Sequence, residues 1–282
     1  MPSVSITLPD PGTTQYSGLA VDTSGNIYVG STVSANPLQG QILIFAAGAT
    51  GTAAPTQIIP LPTMQDVPGL PTAIAVDSTD NVYVATSNDA GATSSSSVLV
   101  FAPDSTAPTR TISISSFLGC GQLAVDTNDN VICALTEARE LQLFTSAQSG
   151  SATPARSITN QVQETIAMSL DPSGNIWIAQ AAEANANLDE SLLEFAGGVS
   201  GAAAPLTMTP GSALPNSANV QGLGFDTAAN LYAYEFGTTV GGMEPPTIAR
   251  FAAGAGFTLP TYQTLTSFPV LFDPGVTNFL VR

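Results

Sequence analysis

One pattern recurs along the chain: an apolar strand ending in Asp, a short link, and an Asn that opens a second apolar strand. It occupies residues 18–31, 73–86, 122–135, 167–180, 222–235 and 269–282, the last copy carrying one extra linking residue. The Asp positions, Asp22, Asp77, Asp126, Asp171, Asp226 and Asp273, recur every 45 to 55 residues. A period of that length marks a solenoid or a ring of repeated sheets. Each link predicts a tight hairpin turn, because Asp can bond amides two residues on and the residue before Asn can take φ > 0. Gly25 and Gly174 suit that position, Asp80 and Asp129 tolerate it, and Ala229 is strained there, so the fifth turn is expected to deviate.

Within the first strand the pattern alternates with period two. Leu19/Val21, Ile74/Val76, Leu123/Val125, Met168/Leu170, Leu223/Phe225 and Val270/Phe272 make a bulky side, while Ala20, Ala75, Ala124, Ser169 and Gly224 make a small one, broken only by Leu271. Strands apolar on both faces must be covered on both faces, and alternating bulky and small sides let one radial sheet mesh with the next. A third strand follows in five copies, ending in Phe45, Phe101, Phe144, Phe195 or Phe251. A small-residue turn and a Pro then lead to a fourth strand, where Pro fits an unpaired edge. Four strands per unit and six units predict a single domain over 1–282, a six-bladed β-propeller of four-stranded antiparallel blades. The N-terminal residues 2–6 resemble residues 154–158, so both termini are expected to close the sixth blade, which is one strand short for want of a third strand. Either the N-terminal strand slides inward, the favoured reading, or an edge stays open for self-association.

Composition narrows the partners. The 21 acids face five Arg, with no Lys and no His, for a net charge of −16. A chain so poor in cations offers no basic patch for nucleic acid or anionic lipid. No apolar run approaches the length of a membrane span, and residues 1–5 have no signal-peptide character. The Ala/Thr/Ser/Gly-rich, Lys-free composition points to an extracellular or cell-surface protein. Cys120 and Cys133 fall on the two strands of one hairpin with a four-residue stagger, roughly 13 Å along the strands. The expectation is two buried free thiols rather than a disulfide.

The units resemble NHL-type propeller repeats of the bacterial variety, through residues 20–29 (AVDTSGNIYV) and 45–55 (FAAGATGTAAP). The resemblance spans essentially the whole chain and implies a fold, because the matching residues form turns and core. Relatives built only of this unit have no assigned activity. Enzymes on similar six-bladed rings include streptogramin lyases and lactonases. Several of these families place His at the reacting centre, and this chain has none. A gluconolactonase-like site implies oxygen ligands around a divalent ion at the central mouth.

Propeller ligands bind where loops converge at that mouth, and the residues expected there are Tyr16, Asn88, Glu137, Arg139, Glu164, Gln180 and Glu235. Of these, Glu164, Gln180 and Glu235 are the oxygen donors that suit a hard cation such as calcium. No catalytic residue and no cofactor are assigned. The repeat Asp residues read as turn formers, since an EF-hand loop needs further oxygens and a distal Glu. The leading functional expectation is a non-catalytic secreted or surface module that binds an unknown protein or small-molecule partner. The alternative is a metal-dependent hydrolase or lyase of the lactonase type.

Overall fold

The computed structural model describes residues 6–8, 14–34, 38–64, 67–87, 96–114, 119–135, 138–159, 161–181, 191–210, 220–235, 238–239, 242–243, 247–253 and 261–264. They form five four-stranded antiparallel sheets, each assembled in chain order. Blade one is β1 (Thr14–Val21), β2 (Ile27–Val33), β3 (Gln39–Phe45) and β4 (Gln57–Pro60). A two-residue hairpin, β5 (Thr63–Met64) with β6 (Val67–Pro68), leads to blade two, made of β7 (Leu70–Val76), β8 (Val82–Ser87), β9 (Ser96–Phe101) and β10 (Arg110–Ile114). Blade three is β11 (Gln122–Val125), β12 (Val131–Leu135), β13 (Glu140–Phe144) and β14 (Arg156–Ile158). Blade four is β15 (Thr165–Leu170), β16 (Ile176–Gln180), β17 (Ser191–Phe195) and β18 (Thr207–Pro210). Blade five starts with β19 (Val220–Phe225) and β20 (Leu231–Glu235). After the small hairpin of β21 (Thr238–Thr239) and β22 (Gly242–Met243) it finishes with β23 (Thr247–Phe251) and β24 (Thr261–Thr264).

Among the described residues the protein is therefore an all-β propeller with five blades, and the expectation of six is corrected. That expectation counted hairpins, and a hairpin is not yet a blade. Each observed blade adds a third strand ending in a buried Phe, at 45, 101, 144, 195 and 251, and a fourth strand outside it. Residues 269–282 carry the sixth copy of the hairpin pattern. They lie outside the described residues, and the blade that both termini were to close falls with the count.

Successive first strands pack in chain order: β1 on β7, β7 on β11, β11 on β15, and β15 on β19. Each boundary joins the small side of one blade to the bulky side of the next. Ala20 clusters with Ile74 and Val76, Ala73 and Ala75 with Leu123 and Val125, Ala124 with Met168 and Leu170, and Ala167 with Leu223 and Phe225. Trp177, buried at the fourth of these boundaries, between blades four and five, tilts against Phe225 with ring centroids 5.8 Å apart. How tightly the blades approach is seen at Gly18, where an added Cβ would lie 2.6 Å from the Ile74 amide nitrogen. Native packing density leaves no slack for that atom.

Outside the core, the fourth strand of one blade clips to the outer turn of the next. Ile112 makes a parallel bridge with Gly150 and Ile158 with Gly201. Around Gly150 the amides of Ser113 and Gly150 donate to Gly150 and Thr111 at 2.8 and 2.7 Å. Ile6 bridges Gly51 in the same way, so the N-terminal segment takes against blade one the place that residues 156–158 take against blade four.

Two local expectations change. Ala229 does adopt φ +61°, yet its turn closes like the others, with the Ala229 amide 3.0 Å from the Asp226 carbonyl. The Asp226 carboxylate holds it there, accepting bonds from Ala228, Asn230 and Tyr232. Cys120 and Cys133 form a disulfide, with Cα atoms 5.3 Å apart, instead of remaining free thiols. The stagger argument assumed an extended strand back to residue 120. In the structure β11 begins only at Gln122 and Gly119 takes φ +74°, so the chain folds back toward Cys133.

Candidate functional site

At one end of the ring lie the repeat turns. In each described turn the Asp carboxylate accepts the amide of the Asn four residues on, and the Asn side chain donates to its second oxygen. For Asp77 these bonds from Asn81 are 2.9 and 2.8 Å. Thr79 adds two more at 2.8 and 2.9 Å, and the Tyr83 hydroxyl donates at 3.0 Å. Tyr28 and Tyr232 donate likewise to Asp22 and Asp226. The Asn side-chain oxygens accept amides of the outer turn, Asn26 from Ala47, Asn130 from Ser146 and Asn230 from Ala253. One Asp–Asn pair thus ties the inner hairpin to the outer one.

Titration reflects the same cages. Burial pushes the Asp22 and Asp77 carboxyls up, but the bonds donated by Asn26 and Asn81 and their neighbours outweigh it and hold both below 3.8. For Asp226 the bond from the Asn230 side chain is the leading influence, again downward. Burial, then the Asp22 charge, pushes the Tyr28 hydroxyl up to about 12. Tyr83 moves in the same direction by burial and its bond to Asp77. These acids are saturated turn anchors.

The mouth lies at the opposite end, where the first strands begin and the second strands finish. Tyr16 is there but buried, paired across the hairpin with Ser31. Gln180 is also buried. Its Oε1 accepts the Gln163 amide at 3.2 Å and its Nε2 donates to the Ser191 hydroxyl at 2.9 Å. Glu164 is exposed, and its carbonyl accepts the Ala181 amide at 2.9 Å, which sets it beside the end of β16. Arg139 is exposed on a turn of blade three with φ +52°. Glu235 ends β20 opposite Val220, and its side chain lies outside what is described, as do Asn88 and Glu137 altogether. The structure therefore brings Glu164 and Gln180 together by backbone, while the Gln180 amide is engaged in holding β16 to β17 and to the segment just before β15. Among the described residues no three His, Cys, Asp or Glu side chains gather.

Sequence reasoning passed over two glutamines. Gln122 and Gln163 are 3% and 8% exposed, and the amide oxygen of each finds no donor among the described residues. They open the first-strand regions of blades three and four, whose first strands pack together. Gln122 had a readable signal: it stands where the other first strands carry Gly18, Ala73, Ala167 and Gly222. Gln163 had none.

Comparison with known proteins agrees with this architecture. A family model described as the SBBP β-propeller repeat matches residues 10–38, covering the first hairpin. No curated protein matches the sequence significantly. Among solved structures, a Bacteroides caccae protein of unknown function is similar over 96% of this chain and 87% of its own, at 10% identity and a TM-score of 0.64. A streptogramin B lyase is similar over 93% and 71%, at 13% identity and 0.54. A glucose dehydrogenase is similar over 89% and 88%, at 12% identity and 0.51. At such identities the likeness carries the fold alone. The repeated hairpins, the blades they build and these similar structures converge on the fold: the chain is a β-propeller of repeated blades.

Proposed function

We propose that this propeller is a non-catalytic binding module, secreted or displayed at the cell surface, which takes a protein or small-molecule partner at its mouth. The observation that carries the reading is the pair of buried, unpaired amide oxygens on Gln122 and Gln163. A buried acceptor without a donor costs about 1–3 kcal/mol, and native proteins keep few of them. Both oxygens are enclosed by the chain, so a bound partner's donor would offset that cost once either amide turns toward the mouth. The engagement of Gln180 in bonds to Gln163 and Ser191 weighs against its service as an ion ligand. The Cys120–Cys133 disulfide supports an oxidising, extracytoplasmic setting, and the lack of Lys and His supports a partner other than nucleic acid.

Calorimetric titration with calcium, together with metal analysis of the purified protein, tests the reading. The expected result is no stoichiometric ion, and a Gln122→Ala variant at least as stable as the parent, because Ala73 and Ala167 already fill that position in sibling blades. One calcium per chain, lost in Glu164→Gln and accompanied by lactone hydrolysis, would replace this reading with the lactonase-type alternative.

A further inference from the structure

Arg110 of β10 and Arg156 of β14 occupy the same register position, opposite Val100 and Leu143, the residues just before the buried Phe of each third strand. Both reach across a blade boundary at the turn end of the ring. The Arg110 guanidinium carbon sits 5.7 Å from the Tyr83 ring centroid, and its Nη1 donates to the Thr145 and Ser146 carbonyls of the next blade. Arg156 donates to the Gly197 carbonyl. Outer-turn carbonyls therefore make a cation site at both boundaries, with the Tyr83 ring face added at the second, and the chain fills each with its own arginine.

At the first boundary the same position is Gln57, opposite Ile44. Tyr28 stands where Tyr83 stands, and Ala102 and Pro103 stand where Thr145 and Ser146 stand. The shorter, neutral side chain leaves a cleft of about 150 Å³, lined by Asn26, Tyr28, Gln57, Ala102, Pro103 and Asp104 among others. The corresponding cleft at the third boundary, lined by Arg156, is only about 10 Å³. A second departure keeps the first one open. The outer turn of blade two, from Phe101 to Pro108, is three residues shorter than that from Phe144 to Pro154, and it has no Gly like the Gly51, Gly150 and Gly201 that clip neighbouring blades. Filler and clip are thus both replaced at one boundary.

Charge agrees with shape. Asp22, Asp80 and Asp104 all act on Tyr28 and raise its hydroxyl pKa, whereas at Tyr83 the Arg110 charge opposes the rise. Asp80 itself crosses the boundary to accept the Thr23 amide and hydroxyl, each at 2.9 Å. We propose that the cleft between blades one and two binds an alkylguanidinium cation, the group that the next two boundaries supply from within the chain. The cleft lies at the turn end, away from the mouth, so its failure would leave the mouth reading untouched.

The test titrates the full chain with n-propylguanidinium, the side chain of arginine cut from its backbone, followed by amide NMR shifts at Tyr28, Gln57 and Asp104. Saturable one-site binding is expected, weakened about tenfold or more by Gln57→Arg, which fills the cleft from inside. Arg110→Gln opens the second boundary and is expected to lower Tm, with partial recovery on adding n-propylguanidinium, as ligand binding to the folded state requires. A blocked Gly-Arg-Gly peptide separates the sources. Binding about tenfold tighter than the free guanidinium assigns the site to a partner's arginine, and equal binding assigns it to a small guanidine. Shifts that do not saturate, or that are the same in Gln57→Arg while Arg110→Gln goes unrescued, would overturn the proposal.

Discussion

An Asp carboxylate near a tyrosine hydroxyl usually invites a search for chemistry, and here the hydrogen-bond inventory gives another answer. Asp77 is 7% exposed and accepts five bonds, from Thr79, Asn81 and Tyr83. Both its oxygens are committed to closing a turn and tying it to the strand behind. Bonds to a charged acceptor contribute about 1.5–3 kcal/mol each when deleted singly, and they are not additive within one cage. Asp77→Ala is therefore expected to destabilise the protein by about 2–4 kcal/mol. Urea unfolding checks this, the midpoint falling with an unchanged slope. Turn residues were legible in the sequence because their chemistry is local. The Gln163 oxygen was not, since its lack of a donor depends on which strands surround it.

The strand and the turn set the next scale, where identical residues carry different penalties. Gly18 and Gly201 both have positive φ, +67° and +68°. A Cβ at Gly201 meets nothing within 4 Å, while one at Gly18 runs into the backbone of Ala73 and Ile74. Gly201→Ala is thus expected to cost the left-handed strain alone, about 1–2 kcal/mol. Gly18→Ala adds the overpacking of a blade boundary, for a total of about 3 kcal/mol or more. Thermal melts of the two variants side by side decide it, and equal losses would mean that blades one and two are not in backbone contact there. Alternating bulky and small sides announced this meshing from the first strands alone. The disulfide escaped the same kind of reading because Gly119 and a late start to β11 break the regular spacing on which the estimate relied.

Across the whole molecule, the cages repeat around the ring and so act together on stability. Asp22, Asp77 and Asp226 have folded-state pKa values below 3.8, which means the stability they contribute is present above that pH and is lost as the pH falls beneath it. Tyr28 is raised from 10.0 to about 12, so its contribution is intact below pH 10 and disappears as the pH rises toward 12. Circular dichroism against pH should show a broad plateau, with unfolding midpoints moving inward at both ends in Asp77→Asn. A midpoint near pH 5 to 6 would point to some other group. Tyrosine absorbance at alkaline pH reports the upper edge directly.

The repeated Asp and Asn, the two-residue alternation and the terminal Phe were enough to read the fold class, the hairpins, the turn conformations and the way blades mesh. Each depends on neighbours within one strand or one turn, where spacing alone dictates geometry. The number of blades, the orphaned oxygens of Gln122 and Gln163 and the cleft beside Gln57 belong to the assembled ring. They arise where two blades meet, and what fills or leaves open such a boundary is settled by residues some 50 positions apart in the chain, whose encounter no local pattern records.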